Sequence, residues 1–226
     1  MRNETWPRVV LFDLDGTLVE TLPDIQASAN GMLAARGLAP LDAKTVRGFI
    51  GKGSRNLMQR CLETHGLSPT EADIDDALRD FTIHYDREPV AGSFVYDGVV
   101  PFLERLRAGG HRLAVCTNKQ KGTAVQVLDA LGILQYFEAV VGGDDVVHRK
   151  PDPRHIDHVL TLMDLERADA LFVGDSENDI EAATAADIPC IAVTFGYNSV
   201  PLEELSTVAL VDHYDEIWPH VAGLRT

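Results

Sequence analysis

Six short, continuously apolar runs, separated by helix-like stretches, constrain the fold of this chain most strongly. Parallel strands that are buried on both faces have this composition, whereas strands with one face in water alternate apolar and polar residues. Alternation of such strands with helices predicts an α/β fold with a parallel sheet. The predicted strands are Arg8–Phe12, Arg112–Cys116, Ala139–Gly142, Ala170–Val173, Cys190–Val193 and Val208–Val211.

The alternation is interrupted once, between about residues 20 and 90. That segment has no strand-like run. It contains turn and helix-capping signals in GLAPLD and GLSPTEAD, which indicate helix ends. We therefore predict a Rossmann-like α/β core of residues 1–19 and 91–226, with an all-helical domain of residues 20–90 inserted after the first strand. The connections Val19–Thr21 and Pro89–Asp97 are the predicted hinges. The predicted helices of the insert are Pro23–Arg36, Ala43–Ile50, Ser54–Thr64 and Thr70–Arg87.

Four short polar stretches lie at or shortly after the carboxyl ends of predicted strands. In open parallel sheets this edge is where ligands bind. One such stretch alone is weak evidence, because aspartate and threonine also cap turns. Four that converge on one edge predict a functional site. They are Asp13-Leu-Asp15-Gly-Thr17, Thr117-Asn118, Lys150-Pro-Asp-Pro, and Gly174-Asp175 with Asp179 four residues further on.

The acidic residues of these stretches indicate a divalent cation. Asp13, Asp15 and Asp175 offer oxygen ligands, which favour Mg²⁺. The cation would also offset the repulsion between Asp13 and Asp15 in a chain whose formal net charge is −15. A carboxylate can attack phosphorus and form an aspartyl-phosphate. Lys150 adds positive charge for that attack, and the Thr117 hydroxyl with nearby backbone N–H groups can hold phosphate oxygens.

The order of these stretches, DxDGT, then threonine, then lysine, then GDxxxD, resembles the motifs of the haloacid dehalogenase superfamily of phosphatases. The resemblance covers essentially the whole chain and implies that the insert is a helical cap of the C1 type. It implies these roles: Asp13 as the nucleophile, Asp15 as the general acid/base, Thr117 and Asn118 as the phosphate-binding pair, Lys150 as the cation that orients Asp13 and the phosphate, Asp175 as a metal ligand, and Asp179 as an indirect or alternative ligand.

Four further stretches resemble the bacterial phosphoglycolate phosphatase family: GFIGKGSRNLMQRCL at 48–62, GGDDV at 142–146, FVGDSENDI at 172–180 and TFGYN at 194–198. This resemblance implies magnesium-dependent hydrolysis of 2-phosphoglycolate to glycolate and phosphate. The chain departs from that pattern at Glu20-Thr21, where the family commonly has Asp-Ser, and at Lys52 in the Gly-x-Gly loop. Lys52 and Arg55 are our candidate cap contacts, because the carboxylate of the substrate would attract a cation.

Other functions remain open from the residues. The substrate could be another small phosphorylated metabolite. A β-phosphoglucomutase-like relative would return the phosphoryl group from Asp13 to its substrate. A phosphonatase-like relative would use Lys52 as a Schiff base, although that family has D-x-A where this chain has Asp15. A receiver-like signalling module would be phosphorylated on Asp13 without turnover, but such modules lack a helical insert at this point.

Composition excludes several partner classes. The negative charge argues against nucleic acid, which binds lysine- and arginine-rich surfaces. No segment reaches the roughly 18 consecutive apolar residues of a membrane span. The widely spaced Cys61, Cys116 and Cys190 form neither a disulfide framework nor a zinc motif. We expect a cytoplasmic monomer or homodimer that acts on a small phosphorylated metabolite.

Overall fold

Six parallel strands form one sheet in the computed structural model of the chain, which describes residues 6–223. The order across the sheet is β5-β4-β1-β6-β7-β8, and β2 pairs with β3 in a separate small sheet. The strands of the described residues are β1 (Val9–Phe12), β2 (Val19–Glu20), β3 (Phe94–Val95), β4 (Arg112–Cys116), β5 (Ala139–Val141), β6 (Ala170–Gly174), β7 (Cys190–Val193) and β8 (Ala209–Val211).

The parallel sheet is buried on both faces, which explains its continuously apolar strands. Val10 and Phe12 of β1 pack into one apolar cluster, while Val9 and Leu11 pack into a second. All four of these side chains are fully buried. Successive residues of a strand point to opposite faces. In a strand between two apolar layers, every side chain is therefore buried and apolar. The predicted α/β fold is confirmed, with strand ends that differ by one residue at most.

Helices cover both faces of the sheet and also form the insert between β2 and β3. Thr70 and Asp73 make a reciprocal capping box at the start of the fourth helix, as the GLSPTEAD signal predicted. Asp42 caps the second helix by accepting a hydrogen bond from the backbone N–H of Thr45. The α-helices of the described residues are α1 (Leu22–Ala35), α2 (Ala43–Arg47), α3 (Ser54–Glu63), α4 (Glu71–Arg87), α5 (Val99–Ala108), α6 (Lys121–Ala130), α7 (Arg154–Leu162), α8 (Glu177–Ala185) and α9 (Ile217–Gly223).

The two connections between core and insert pair with each other. Strands β2 and β3 are antiparallel, with Val19 opposite Val95 and Glu20 opposite Phe94. These strands lie within the two predicted hinge segments, and two residues each are too few to give a sequence signal. We propose that the insert spans residues 20–90, with residues 1–19 and 91–226 in the core. Of that range, residues 1–5 and 224–226 lie outside the described residues.

Strand order places one edge of the sheet at a topological switch point. From β1 in the centre, the chain runs outward through β4 to β5 and later fills the other side through β6, β7 and β8. The carboxyl ends of β4, β1 and β6 therefore lie side by side. Ligands bind at such points in open α/β sheets.

Within residues 6–223, no helix is both long and apolar enough to cross a membrane, and all three cysteines are buried and unpaired.

Candidate active site

A cavity opens at the carboxyl ends of these three strands, between the core and the helical insert. Asp13 follows β1, Thr117 follows β4, and Asp175 follows β6. The insert contributes mainly apolar walls. Core residues that line the cavity are Asp13, Asp15, Thr117, Asn118, Lys119, Gln120, Thr123, Lys150, Asp175, Ser176, Asn178, Asp179 and Tyr197; insert residues are Ile25, Ile50, Gly51, Gly53, Ser54, Leu57, Phe81, Thr82 and Tyr85.

Three buried carboxylates and one buried lysine form the polar centre of the cavity. One oxygen each from Asp13, Asp175 and Asp179 lie within 4.8 Å of one another. The Lys150 Nζ donates hydrogen bonds to Asp13 Oδ1 at 2.8 Å and Asp179 Oδ1 at 2.6 Å. The Lys150 side chain is 1% exposed. One ammonium group therefore faces three carboxylates, which leaves this cluster with an excess of negative charge.

The pKa values of two carboxyls reflect that excess. Burial raises the pKa of Asp13 to about 6; Lys150 opposes this rise, while the Asp179 carboxylate adds to it. Burial also raises the pKa of Asp175 well above its ordinary value, with further contributions from Asp179 and Asp13. Both shifts have the direction expected of desolvated acids close to like charges. A divalent cation among the oxygens would favour the ionised forms.

Hydrogen bonds from the surrounding chain fix the acidic residues. The Thr17 hydroxyl donates to Asp175 Oδ1 at 2.6 Å, and the Tyr197 backbone N–H donates to Asp175 Oδ2 at 2.6 Å. Asp179 Oδ2 accepts from the Ser176 hydroxyl at 2.8 Å and from two backbone N–H groups. Ser176 and Asp179 thereby form the capping box of α8. Asp179 therefore binds Lys150 through one oxygen and caps α8 through the other, and both contacts fix the position of its carboxylate.

Two glycines permit this close packing. Gly16 has a φ of 88°, and a Cβ there would lie 2.5 Å from Asp175 Oδ2. A Cβ on Gly196 would also overlap the Asp175 carboxylate. A larger residue at either position would displace Asp175, and at position 16 it would also strain the backbone. The glycine after the two aspartates is therefore needed for steric reasons.

Asp15 lies outside the carboxylate cluster. Its Oδ1 accepts hydrogen bonds from the Thr21 hydroxyl at 2.7 Å and from the Lys119 Nζ at 3.0 Å. Sequence reasoning grouped Asp15 with Asp13 and Asp175 as metal ligands, whereas the structure groups Asp179 with those two. The two carboxylates of DxD thus have different partners: Lys150 binds Asp13, and Lys119 binds Asp15.

The predicted phosphate-binding pair lies beside the cluster. Thr117 is 1% exposed, and its backbone N–H donates to Val141 O on β5. Asn118 Nδ2 donates to Gly51 O of the insert at 2.8 Å and to Lys150 O at 2.9 Å. The Asn118 side chain therefore joins three segments through its amide, a connection that sequence reasoning did not anticipate.

The two predicted cap contacts are not brought to the cavity. Lys52 is exposed, and it is absent from the lining although its neighbours Gly51 and Gly53 belong to it. Arg55 on α3 instead forms ion pairs with Glu71 and Asp75 on the insert surface. Lys52 lies within a glycine-rich turn and Arg55 follows it, and the sequence does not specify the direction of that turn.

Sequence reasoning missed two residues that the structure places at the site, Lys119 and Tyr197. Lys119 directly follows Thr117-Asn118, so its position after a strand end could have marked it. Tyr197 lies within TFGYN, a stretch that resembles the family but does not by itself indicate a role for the tyrosine. Its hydroxyl accepts hydrogen bonds from the backbone N–H groups of Thr21 and Leu22 at 2.8 and 2.9 Å. It also bonds the Glu20 carboxylate. That contact spans 177 positions and leaves no local signal in the sequence.

Comparison with known proteins agrees with this architecture. The family model of haloacid dehalogenase-like hydrolases matches residues 10–193. A phosphoglycolate phosphatase of Rhodospirillum rubrum is 40% identical over 92% of this chain and 88% of that protein. A plasmid-borne phosphoglycolate phosphatase of Cupriavidus necator is 47% identical over 83% of this chain and 81% of that protein. A crystal structure of a predicted phosphoglycolate phosphatase from Haemophilus somnus superposes with a TM-score of 0.89 and 32% identity, covering 96% and 98% of the two chains. The match reaches from the strand before Asp13 to the strand after Asp175, and the chain belongs to the haloacid dehalogenase-like hydrolases.

Proposed function

We propose that this protein is a magnesium-dependent phosphatase that hydrolyses 2-phosphoglycolate to glycolate and phosphate. The observation that carries the proposal is the pairing of Asp13 with Lys150 inside a cluster of three buried acids. A nucleophile for phosphorus and the charge that orients it are thus in direct contact. The choice of substrate rests on the similarity to phosphoglycolate phosphatases over nine tenths of the chain. The cellular site would be the cytoplasm, and the enzyme would act as a monomer or homodimer.

The donor set fits Mg²⁺. It consists of carboxylate oxygens, it is buried, and Lys150 only partly balances its negative charge. Asp13 and Asp175 would hold the ion, while Asp179, whose two oxygens already accept hydrogen bonds from Lys150 and the α8 cap, would act indirectly. When bound, the ion would neutralise charge on the transferring phosphoryl group. Asp15 would not contribute its carboxylate, because that group is bound to Lys119 and Thr21.

In the first step, an Asp13 oxygen attacks phosphorus and the bond from phosphorus to the glycolate oxygen breaks. Lys150 holds the Asp13 carboxylate in place and adds positive charge beside the phosphoryl group. Asp15, two residues away in the same loop, donates a proton to the departing glycolate oxygen. Thr117 and nearby backbone N–H groups hold the phosphoryl oxygens. The products are glycolate and an aspartyl-phosphate on Asp13.

In the second step, water attacks the phosphorus of the aspartyl-phosphate. Asp15 accepts a proton from that water, and the bond between phosphorus and the Asp13 oxygen breaks, which releases phosphate and restores Asp13. The apolar wall of the insert would keep other water away during the first step. In each turnover, Asp15 donates one proton to the leaving oxygen and accepts one proton from water.

The test is release of phosphate from a panel of small phosphomonoesters with magnesium, ranked by kcat/KM. We expect 2-phosphoglycolate to rank first and Asp13→Asn to abolish turnover. Activity only toward another phosphoester would contradict the substrate and leave the mechanism standing. Full activity of Asp13→Asn would contradict the mechanism itself.

A further inference from the structure

The cavity contains few groups that could bind the carboxylate end of a substrate. Among the described residues that line it, Lys119 and Lys150 are the ones with positive charge. Lys150 already bonds to Asp13 and Asp179 and has a side chain only 1% exposed. For a second anionic group of the substrate, Lys119 is therefore the charged partner that this lining offers; without one, the group would lie in a largely apolar space, which is costly.

Lys119 is positioned to exchange partners. Its Nζ contacts both Asp15 oxygens, at 3.0 and 3.3 Å, and lies 4.8 Å from the centre of the Tyr85 ring. Burial alone would lower the pKa of Lys119, but the Asp15 carboxylate and the Tyr85 hydroxyl raise it above the ordinary value. The group is a buried ammonium whose charged partner is a single carboxylate. Another carboxylate in the cavity could take over that contact when Asp15 carries the proton that it donates to the leaving oxygen, because a protonated Asp15 needs no charged partner.

The distances suit a two-carbon acid. A hydrogen bond of about 2.7 Å from Asp15 to the leaving oxygen would put Nζ within about 6 Å of that oxygen. In 2-phosphoglycolate the carboxylate oxygens lie about 3–4 Å from the bridging oxygen, because two carbons separate them. A charge-assisted hydrogen bond of about 2.8 Å covers the rest. A substrate with a longer chain would have to bend to make the same contact.

We propose that Lys119 binds the carboxylate of the substrate and thereby determines selectivity for a two-carbon phosphorylated acid. The substrate carboxylate replaces Asp15 as the partner of Lys119, and Asp15 turns to the leaving oxygen. This inference rests on the proposed function and moves the expected recognition of the carboxylate from Lys52 and Arg55 in the insert to the core.

The experiment compares 2-phosphoglycolate with 2-hydroxyethyl phosphate, in which a hydroxymethyl group replaces the carboxylate. The measured quantity is the ratio of the two kcat/KM values. A change that only disturbs Asp15 slows both substrates and leaves the ratio unchanged. We expect Lys119→Met to lower the ratio by about 30-fold or more, chiefly through KM for 2-phosphoglycolate. Lys119→Arg should keep part of the preference, because it keeps the charge.

Three matched variants serve as controls. Lys121→Met removes a nearby lysine that is half exposed and pairs with Asp145. Lys52→Met and Arg55→Met remove the two cations predicted from the sequence. All three should leave the ratio within about 3-fold of the wild type, since none of these side chains lines the cavity.

Removal of Lys119 alone leaves Asp15 unpaired, so the single variant could fail to fold. The double variant Asp15→Asn/Lys119→Met removes both charges, and comparison with Asp15→Asn alone gives the same ratio test. A wild type that does not prefer 2-phosphoglycolate overturns the proposed function. A wild type that prefers it, together with an unchanged ratio on loss of Lys119, overturns only the role of Lys119. The role of Lys119 is also overturned if the ratio falls in Lys52→Met or Arg55→Met but not in Lys119→Met.

Discussion

The core and the insert line the same cavity with opposite chemistry. The core side carries the acids and lysines, which lie in the loops that follow the carboxyl ends of the strands or in the first turn of a helix. The insert side carries side chains such as Leu57, Phe81 and Tyr85, which are also part of the packing of its own helices. Reacting groups therefore lie where short loops leave a rigid sheet. Within the described residues, the insert adds no charged side chain to the cavity lining. It instead excludes water from the site, which strengthens electrostatic interactions there.

The two sides are joined through a few polar contacts. The Arg47 Nη2 of α2 donates to Phe195 O at 2.9 Å and also contacts Gly196 O. Asn118 bonds Gly51 O across the same boundary. The segment after β7 thus touches the insert, while the backbone N–H of Tyr197 in that segment holds Asp175. The position of the insert is coupled to one member of the acidic cluster.

Replacement of the nucleophile should produce the largest effect. Asp13→Asn keeps the shape of the side chain but removes the attacking carboxylate, so kcat should fall by about 10⁵-fold, with no phosphoenzyme trapped on acid quench. Asp144→Asn is the control, because Asp144 accepts a hydrogen bond from the Lys121 backbone in an exposed loop. Retention of more than a tenth of the activity by Asp13→Asn would contradict the assignment of chemistry to the core.

Removal of magnesium should have the next largest effect. Chelation should lower kcat by roughly 10³-fold, and added Mg²⁺ should restore it. The ion should also raise the melting temperature of the wild type, because it binds the folded protein. In Asp175→Asn this rise should be smaller and the magnesium concentration for half activity higher. An equal rise in both proteins would indicate that the ion binds elsewhere.

Replacement of the proposed acid/base should cost less. Asp15→Asn should lower kcat by about 10²–10³-fold, since proton transfer contributes that much. With an ester whose leaving group needs no proton, such as an aryl phosphate, the rate of phosphoryl transfer to Asp13 should return toward that of the wild type. The phosphoenzyme should then accumulate. Asp13→Asn should not accumulate it with any ester. If both variants lose activity equally on every ester, the two aspartates do not have separate roles.

The fold and the strand-end residues followed from the sequence because local rules determine them. Continuous apolar runs such as Val9–Phe12 occur where both faces of a sheet are covered. The acidic residues after β1 and β6 meet because those strands are neighbours, which the topology of parallel sheets favours.

The pairing of side chains could not be predicted in the same way. Asp15 and Lys119 are 104 positions apart. Which carboxylate of DxD faces which lysine depends on the paths of two loops. The motif predicts that Asp179 is an indirect or alternative metal ligand. Its place inside the carboxylate cluster follows from the α8 cap, which draws it toward Asp175. Rotamer and loop direction, rather than periodicity, decide such contacts.

The smallest effect should come from the contact that couples the insert to the core. Arg47→Met removes the hydrogen bonds to the carbonyls of Phe195 and Gly196, so KM for 2-phosphoglycolate should rise about 10-fold while kcat changes little. Arg60→Met is the matched control, since Arg60 donates to Gly48 O and lies over the Phe49 ring within the insert. The control should lower stability without raising KM. A loss of kcat in Arg47→Met comparable to that of Asp15→Asn would mean that the insert takes part in the chemical step. The assignment of the reacting groups to the core and of water exclusion to the insert would then be wrong.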